Sequence, residues 1–126
     1  MRTTARKSAA KQPPGPPADK LSRTFGASSV IALREYYAAT QDFDRMLAAR
    51  GYTPQEIGRH AGLSDTALAW AVDASLVRPQ SLRPSDGVSG DPQRASAELG
   101  RAGVEHIVTT AVAAIRARTS GAPTKP

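Results

Sequence analysis

From Val30 to Leu47 the chain alternates apolar and polar positions with helical spacing. Leu33, Tyr36, Thr40, Phe43 and Leu47 recur at intervals of three and four, and Val30 and Met46 widen the stripe. Arg34, Glu35, Asp42, Asp44 and Arg45 fall on the opposite face. The pattern predicts a long amphipathic helix capped by Ser28 or Ser29, running to about Arg50 and stopped by Gly51.

Residues Tyr52 to Pro79 read as two short helices around a turn. Thr53 serves as N-cap, Pro54 occupies the first helical position, and Glu56 stands where a capping box requires it. Ile57 and Ala61 form one apolar face before Gly62 lets the chain bend. Ser64 is placed to cap the second helix, with Asp65 meeting its positive end. Ala67, Leu68, Ala71, Val72 and Leu76 give that helix a stripe expected to be buried. Two capped helices joined by a Gly turn form the helix-turn-helix unit, whose commonest use is on DNA.

Between Arg78 and Asp91 the chain is rich in Ser, Pro, Gly and Asp and has no apolar period. Gly87 suits a turn, yet no strand-like alternation flanks it. Asp91 and Pro92 are placed to start a last helix reaching about Arg118. Gly100 and Gly103 weaken its middle by about 1 kcal/mol each relative to Ala, which leaves a break there open. Beyond them, Val104, Ile107, Val108, Ala111, Val112 and Ile115 make a wide apolar face. Two uses for that face stay open: packing back on the monomer, or pairing with the same helix of a second chain.

The expected fold is all-α, a tri-helical helix-turn-helix head with a long leading helix, a C-terminal helix and disordered termini. Residues 1–25 form a basic Pro-rich arm, 26–78 the helix-turn-helix domain and 79–91 a linker or degenerate wing. Residues 92–118 form the C-terminal helix, which could serve dimerisation, and 119–126 a disordered tail.

The 52–79 segment resembles the DNA-binding head of the MerR family of bacterial regulators. The matching residues are Tyr52, Thr53, Glu56, Arg59, Ala61, Gly62, Leu63, Ser64, Leu68, Leu76, Val77 and Pro79, without a gap, in 28 of 126 residues. The resemblance implies a bacterial transcription regulator whose second short helix enters a DNA groove. The chain departs from the family pattern at Ala69, Ala71 and Ser75, where the family carries Arg, an aromatic residue and Gly. The long leading helix is a further departure. Metal or drug sensing does not carry over, because the chain has no Cys and a short tail.

Charge sharpens this reading. The net charge of +6 sits almost wholly on residues 1–24, where Arg2, Arg6, Lys7, Lys11, Lys20 and Arg23 face Asp19 alone. That arm includes QPPGPPAD, whose prolines forbid a helix, and it lacks the apolar residues needed to offset the entropy of ordering. Basic arms of this kind neutralise phosphates and release counterions, which makes binding salt-dependent and sequence-blind. A solubilising tail without a partner is the bland alternative. No apolar run approaches the ~20 residues of a membrane span, and the N-terminus has no apolar signal region. The expected localisation is cytoplasmic and nucleoid-associated.

Catalytic and metal chemistry find no support. His60 and His106 stand alone without Cys, Asp42 and Asp44 diverge on a helix, and neither GVSG at 87–90 nor GRAG at 100–103 has a phosphate-loop context. No enzyme, cofactor or metal is expected. The candidate DNA contacts are Ser64, Asp65, Thr66, Ala69 and Trp70 on the second helix, with Arg59, His60, Arg78, Arg83, Arg2, Arg6, Lys7 and Lys11 around it. The expected partner is double-stranded DNA, bound as part of transcription control. The competing class is a protein-interaction adaptor: the second helix carries no Lys or Arg, and Trp70 would suit a protein partner. A third reading keeps the head only for dimerisation. Trp70 also has a structural reading, folded against Tyr52 or the leading helix.

Overall fold

A computed structural model describes residues 30–120. The chain divides into two units, residues 1–32 and 33–126. Of the first only 30–32 are described, as irregular chain. The arm residues Arg2, Arg6, Lys7 and Lys11, the caps Ser28 and Ser29, and residues 121–126 lie outside the described residues.

The second unit is mostly helical, with no strand among the described residues. Helix α1 spans Arg34–Ala49, α2 Pro54–Ile57, α3 Leu63–Val72 and α4 Ala97–Thr119. Single 3-10 turns occupy Ala74–Leu76, Pro79–Ser81 and Pro92–Arg94. Helix α4 packs most extensively on α3 and next on α1. The core is small: Phe43, Leu47, Ile57, Leu63, Ala67 and Ala95, with Met46, Tyr52, Leu68 and Leu99 packed around it.

Helix α1 begins at Arg34, later than its expected caps, and Leu33 precedes it without a side-chain cap. Its buried positions are Ala39, Phe43 and Leu47, while Tyr36 stays 45% exposed. Phe43 and Leu47 are thus buried as the spacing predicts, while Ala39 is buried and Tyr36 is not. On the polar face Glu35 and Asp42 both reach α4: Glu35 pairs with Arg118, and Asp42 lies 3.0 Å from His106 Nε2. Those contacts hold the Glu35 and Asp42 carboxyls below the ordinary carboxylate range. Hydrogen bonding to Arg118 is the leading cause for Glu35, and to His106, then Arg45, for Asp42.

The capping box forms as expected. The Glu56 N–H donates to Thr53 Oγ1 at 3.2 Å, and the Thr53 N–H donates to Glu56 Oε2 at 2.8 Å. Glu56 also pairs with Arg94, whose guanidinium lies 4.6 Å over the Tyr52 ring.

The expected start of α4 is corrected, and the break left open at its glycines does not occur. Asp91 and Pro92 open only a 3-10 turn, in which Asp91 accepts from the Gln93 N–H; Ser96 caps the helix proper by accepting from the Leu99 N–H at 3.2 Å. Nor does the helix break at its glycines. Gly100 and Gly103 are buried where α4 crosses its neighbours: a Cβ on Gly100 would run into the Ala67 carbonyl, and one on Gly103 would lie 2.7 Å from the Phe43 ring. The helix continues through Thr119, so the expected tail begins later than residue 119. The helix packs on its neighbours through Gly100, Gly103 and Ala114, whereas none of the expected face Val104, Ile107, Val108, Ala111, Val112 and Ile115 is buried, and Val108, Val112 and Ile115 are exposed.

Candidate interaction surface

The turn between α2 and α3 is held from outside by the segment expected to be a linker or wing. Residues 85–91 turn at Gly87 (φ 83°) and return to lie across the turn. Ser89 O accepts from the Arg59 N–H at 2.8 Å and the His60 N–H at 3.4 Å, the Ser89 N–H donates to His60 O at 2.8 Å, and the Asp91 N–H donates to Glu56 O at 2.8 Å. One antiparallel bridge, His60 to Ser89, is the whole of its β character. Residues 85–91 of the expected linker or degenerate wing thus form a strap across the turn.

The approach demands glycine. A Cβ on Gly62 would lie 2.8 Å from Ser89 O, and one on Gly90 2.6 Å from the Gly62 Cα. Gly58 also adopts φ 74°. The bend assigned to Gly62 is thus made elsewhere, at Gly58 and at Ala61 (φ 51°), while Gly62 is N-cap of α3 in an extended conformation. Left-handed Ala61 is held by Asp65, whose Oδ2 accepts from the Ala61 N–H at 2.9 Å.

Ser64 neither caps α3 nor faces a ligand. It is 8% exposed, and its hydroxyl donates to Asp44 Oδ1 at 2.6 Å, tying α3 to α1. Its expected DNA contact is withdrawn on that ground. Asp65 is exposed, but one carboxylate oxygen is already engaged with the Ala61 N–H. Thr66 is partly buried and donates to Ala61 O at 3.4 Å. Ala69 and Trp70 are partly buried as well. Asp73 ends α3, where the Ser75 N–H donates to it and holds its carboxyl below the ordinary range.

An open groove of about 700 Å³ gathers His60, Asp65, Thr66, Ala69 and Arg78 with Ala61, Ser75, Leu76, Val77, Ser81 and Leu82. Its lining does not include Arg59, Trp70 or Arg83. Arg59, Arg78 and Arg83 are exposed and make no ion pair among the described residues, unlike Arg45, Arg94 and Arg118. Residues 30–120 carry ten basic and ten acidic side chains and are formally neutral.

The expected burial of Val72 and Leu76 is also corrected, since they are 68% and 64% exposed. Helix α3 ends at Val72, so Leu76 lies beyond it in a 3-10 turn and the helical period no longer places it. The groove residues Leu76, Val77 and Leu82 were missed as site residues for the same reason. Helical periodicity has no register in 3-10 turns and irregular chain. Among the described residues no cluster of His, Asp and Glu is disposed to hold a metal ion, and no helix is long and apolar enough to cross a membrane.

Comparison with protein families, curated proteins and solved structures finds no match to this chain.

Proposed function

We propose that this chain is a helix-turn-helix DNA-binding protein in which the α2–α3 pair presents an edge to the duplex and the N-terminal arm supplies most of the counter-charge. The observation that carries it is three exposed arginines that make no ion pair among the described residues, Arg59 beside the turn and Arg78 and Arg83 after the helix in sequence, with Arg78 lining the groove. His60 lines the same groove. Asp65, Thr66 and Ala69 are the α3 side chains left to meet base edges, with Asp65 able to accept from a cytosine amino group. The Ser64 hydroxyl takes no part. Because residues 30–120 are formally neutral, affinity depends on the charge of residues 1–24.

A fluorescence-anisotropy titration of the full chain on duplex DNA at several salt concentrations tests this. Affinity is expected to fall steeply with salt, and deletion of residues 1–24 to remove most of that slope, at about 0.9 per neutralised phosphate. Arg59→Ala with Arg78→Ala is expected to weaken binding further, uniformly across sequences. Absence of binding at low salt overturns the reading.

The second reading, a protein-interaction adaptor, rests on a different observation. Val72 at the end of α3 and Leu76 just beyond it expose aliphatic surface, and Asp65 in the helix and Asp73 at its C-cap are the only charged side chains from 63 to 77. It predicts that Trp70→Ala or Val72→Asp abolishes capture of a protein partner while leaving DNA affinity unchanged.

A further inference from the structure

Two side chains of α3 are engaged by a single residue of the turn before it. Asp65 accepts the Ala61 N–H on Oδ2 at 2.9 Å, and the Thr66 hydroxyl donates to Ala61 O at 3.4 Å. Ala61 thereby sets what each has left to offer: Asp65 its second carboxylate oxygen, Thr66 its methyl group. Ala69, one helical turn beyond Asp65, adds another methyl. Asp65, Thr66 and Ala69 are the α3 residues that line the groove. Along it the helix therefore presents one fixed acceptor beside apolar carbon, and no free donor. The donors His60 and Arg78 reach the groove from outside the helix.

We infer that the base read by this edge is 5-methylcytosine. The inference rests on the proposed DNA-binding function and names the base that α3 selects. Asp65 lies in the first turn of α3, the part of a recognition helix that meets base edges.

Each base shows a different pattern in the major groove. Guanine shows two acceptors, which repel a carboxylate. Thymine shows a methyl, but next to an acceptor. Adenine shows a donor next to an acceptor, to which these three side chains have nothing to donate. Cytosine shows the amino donor that Asp65 can take, next to a C5 edge free of polar atoms. A methyl on C5 puts donor and apolar carbon side by side on one base. That pattern is the complement of Asp65 with Thr66 and Ala69. His60 and Arg78 are left for the acceptors of the guanine across the pair and for phosphates.

The test starts from a random duplex library made in two forms, one with cytosine and one with 5-methylcytosine throughout. The full chain selects from each. Matched duplexes differing at the selected position are then titrated by fluorescence anisotropy, with circular dichroism confirming that each variant is folded. The methylated base is expected to bind about fourfold tighter than cytosine, the effect of burying one methyl group. It is expected to bind roughly tenfold tighter than thymine. Asp65→Asn keeps an acceptor for the Ala61 N–H and is expected to erase the preference over thymine. Thr66→Ser keeps the hydroxyl but loses the methyl, and is expected to bring cytosine and 5-methylcytosine within about twofold of each other. Equal wild-type affinity for those two bases overturns the inference. So does a preference for thymine, or a methyl preference that survives both Thr66→Ser and Ala69→Gly. Each of these results, obtained with DNA bound, spares the proposed function; a chain that binds neither library at low salt sinks both.

Discussion

Substituting alanine for Gly100 tests the helix crossing on which the fold depends. Within an exposed helix the change would stabilise by about 1 kcal/mol, because glycine has the larger backbone entropy to lose. Here the new methyl would collide with the carbonyl carbon and oxygen of Ala67 and lie 2.9 Å from the Ala71 Cβ. Backbone atoms have no rotamer to escape into, so α3 has to retreat by roughly 1 Å or more through a close-packed core. Overpacking of this kind costs about 1–3 kcal/mol, and contact with backbone puts Gly100→Ala at the upper end. The expected net loss is about 2 kcal/mol, or roughly 8–16 °C in Tm for a domain of this size. Thermal and urea denaturation followed by circular dichroism reads it. Gly103→Ala is the internal comparison: its methyl meets the side chains of Phe43 and Leu68, which can turn aside, so the net loss is expected to be smaller, about 0–1 kcal/mol. Ala113→Gly, at an exposed position of the same helix, calibrates the propensity effect at about 1 kcal/mol. A Gly100→Ala variant as stable as wild type, or more so, would refute the crossing of α3 and α4 at this residue.

Other outcomes follow from the same contacts. Ser64→Ala removes the hydrogen bond to Asp44 and is expected to cost about 1–2 kcal/mol in urea denaturation, with DNA affinity unchanged at temperatures where the variant is folded. Asp65→Ala frees the Ala61 N–H and is expected to lower stability by about 1 kcal/mol; if stability is unchanged, the carboxylate does not hold the turn. The Glu56 carboxyl is held below its ordinary value by the Thr53 backbone N–H first, then by Arg94 and the Thr53 hydroxyl. Its folded pKa lies below its unfolded one, so its contribution is present above about pH 4.5 and lost as pH falls through the folded value. Glu56→Gln is therefore expected to flatten the acid limb of a stability–pH curve, and an unchanged limb would contradict that.

Much of the helix content was legible because it rests on local signals. The Thr53–Glu56 box, Pro54 at the first helical position and the stop at Gly51 depend on residues within one turn of each other, and each appears where the sequence placed it. The legible part ended where a residue's role depends on a distant segment. Ser64 has the chemistry of an N-cap, but Asp44, twenty positions earlier, takes its hydroxyl. Asp42 and Glu35 look like solvent-facing charges until α4 brings His106 and Arg118 against them. The candidate site was legible only in part for the same reason: His60, Asp65, Thr66, Ala69 and Arg78 do share a groove, but Leu76, Val77 and Leu82 enter it from irregular chain.

The glycines make the distinction sharpest. Read locally, Gly100 and Gly103 are weak points in a helix and Gly90 is linker. In space they mark two places where backbone meets backbone or core: α4 on α3 and α1, and the strap on the α2–α3 turn. Both approaches bear on the same helix. Helix α3 is ten residues long, too short to be stable alone. It is fixed along one side by α4 at Gly100 and at its N-terminal turn by Ser89 and Gly90. An edge pinned at two points by close backbone approach, with Asp65 left exposed on it and Arg59 and Arg78 at its ends, is preorganised for a rigid partner. Under the proposed function, that pinning lowers the ordering cost of docking into a duplex groove.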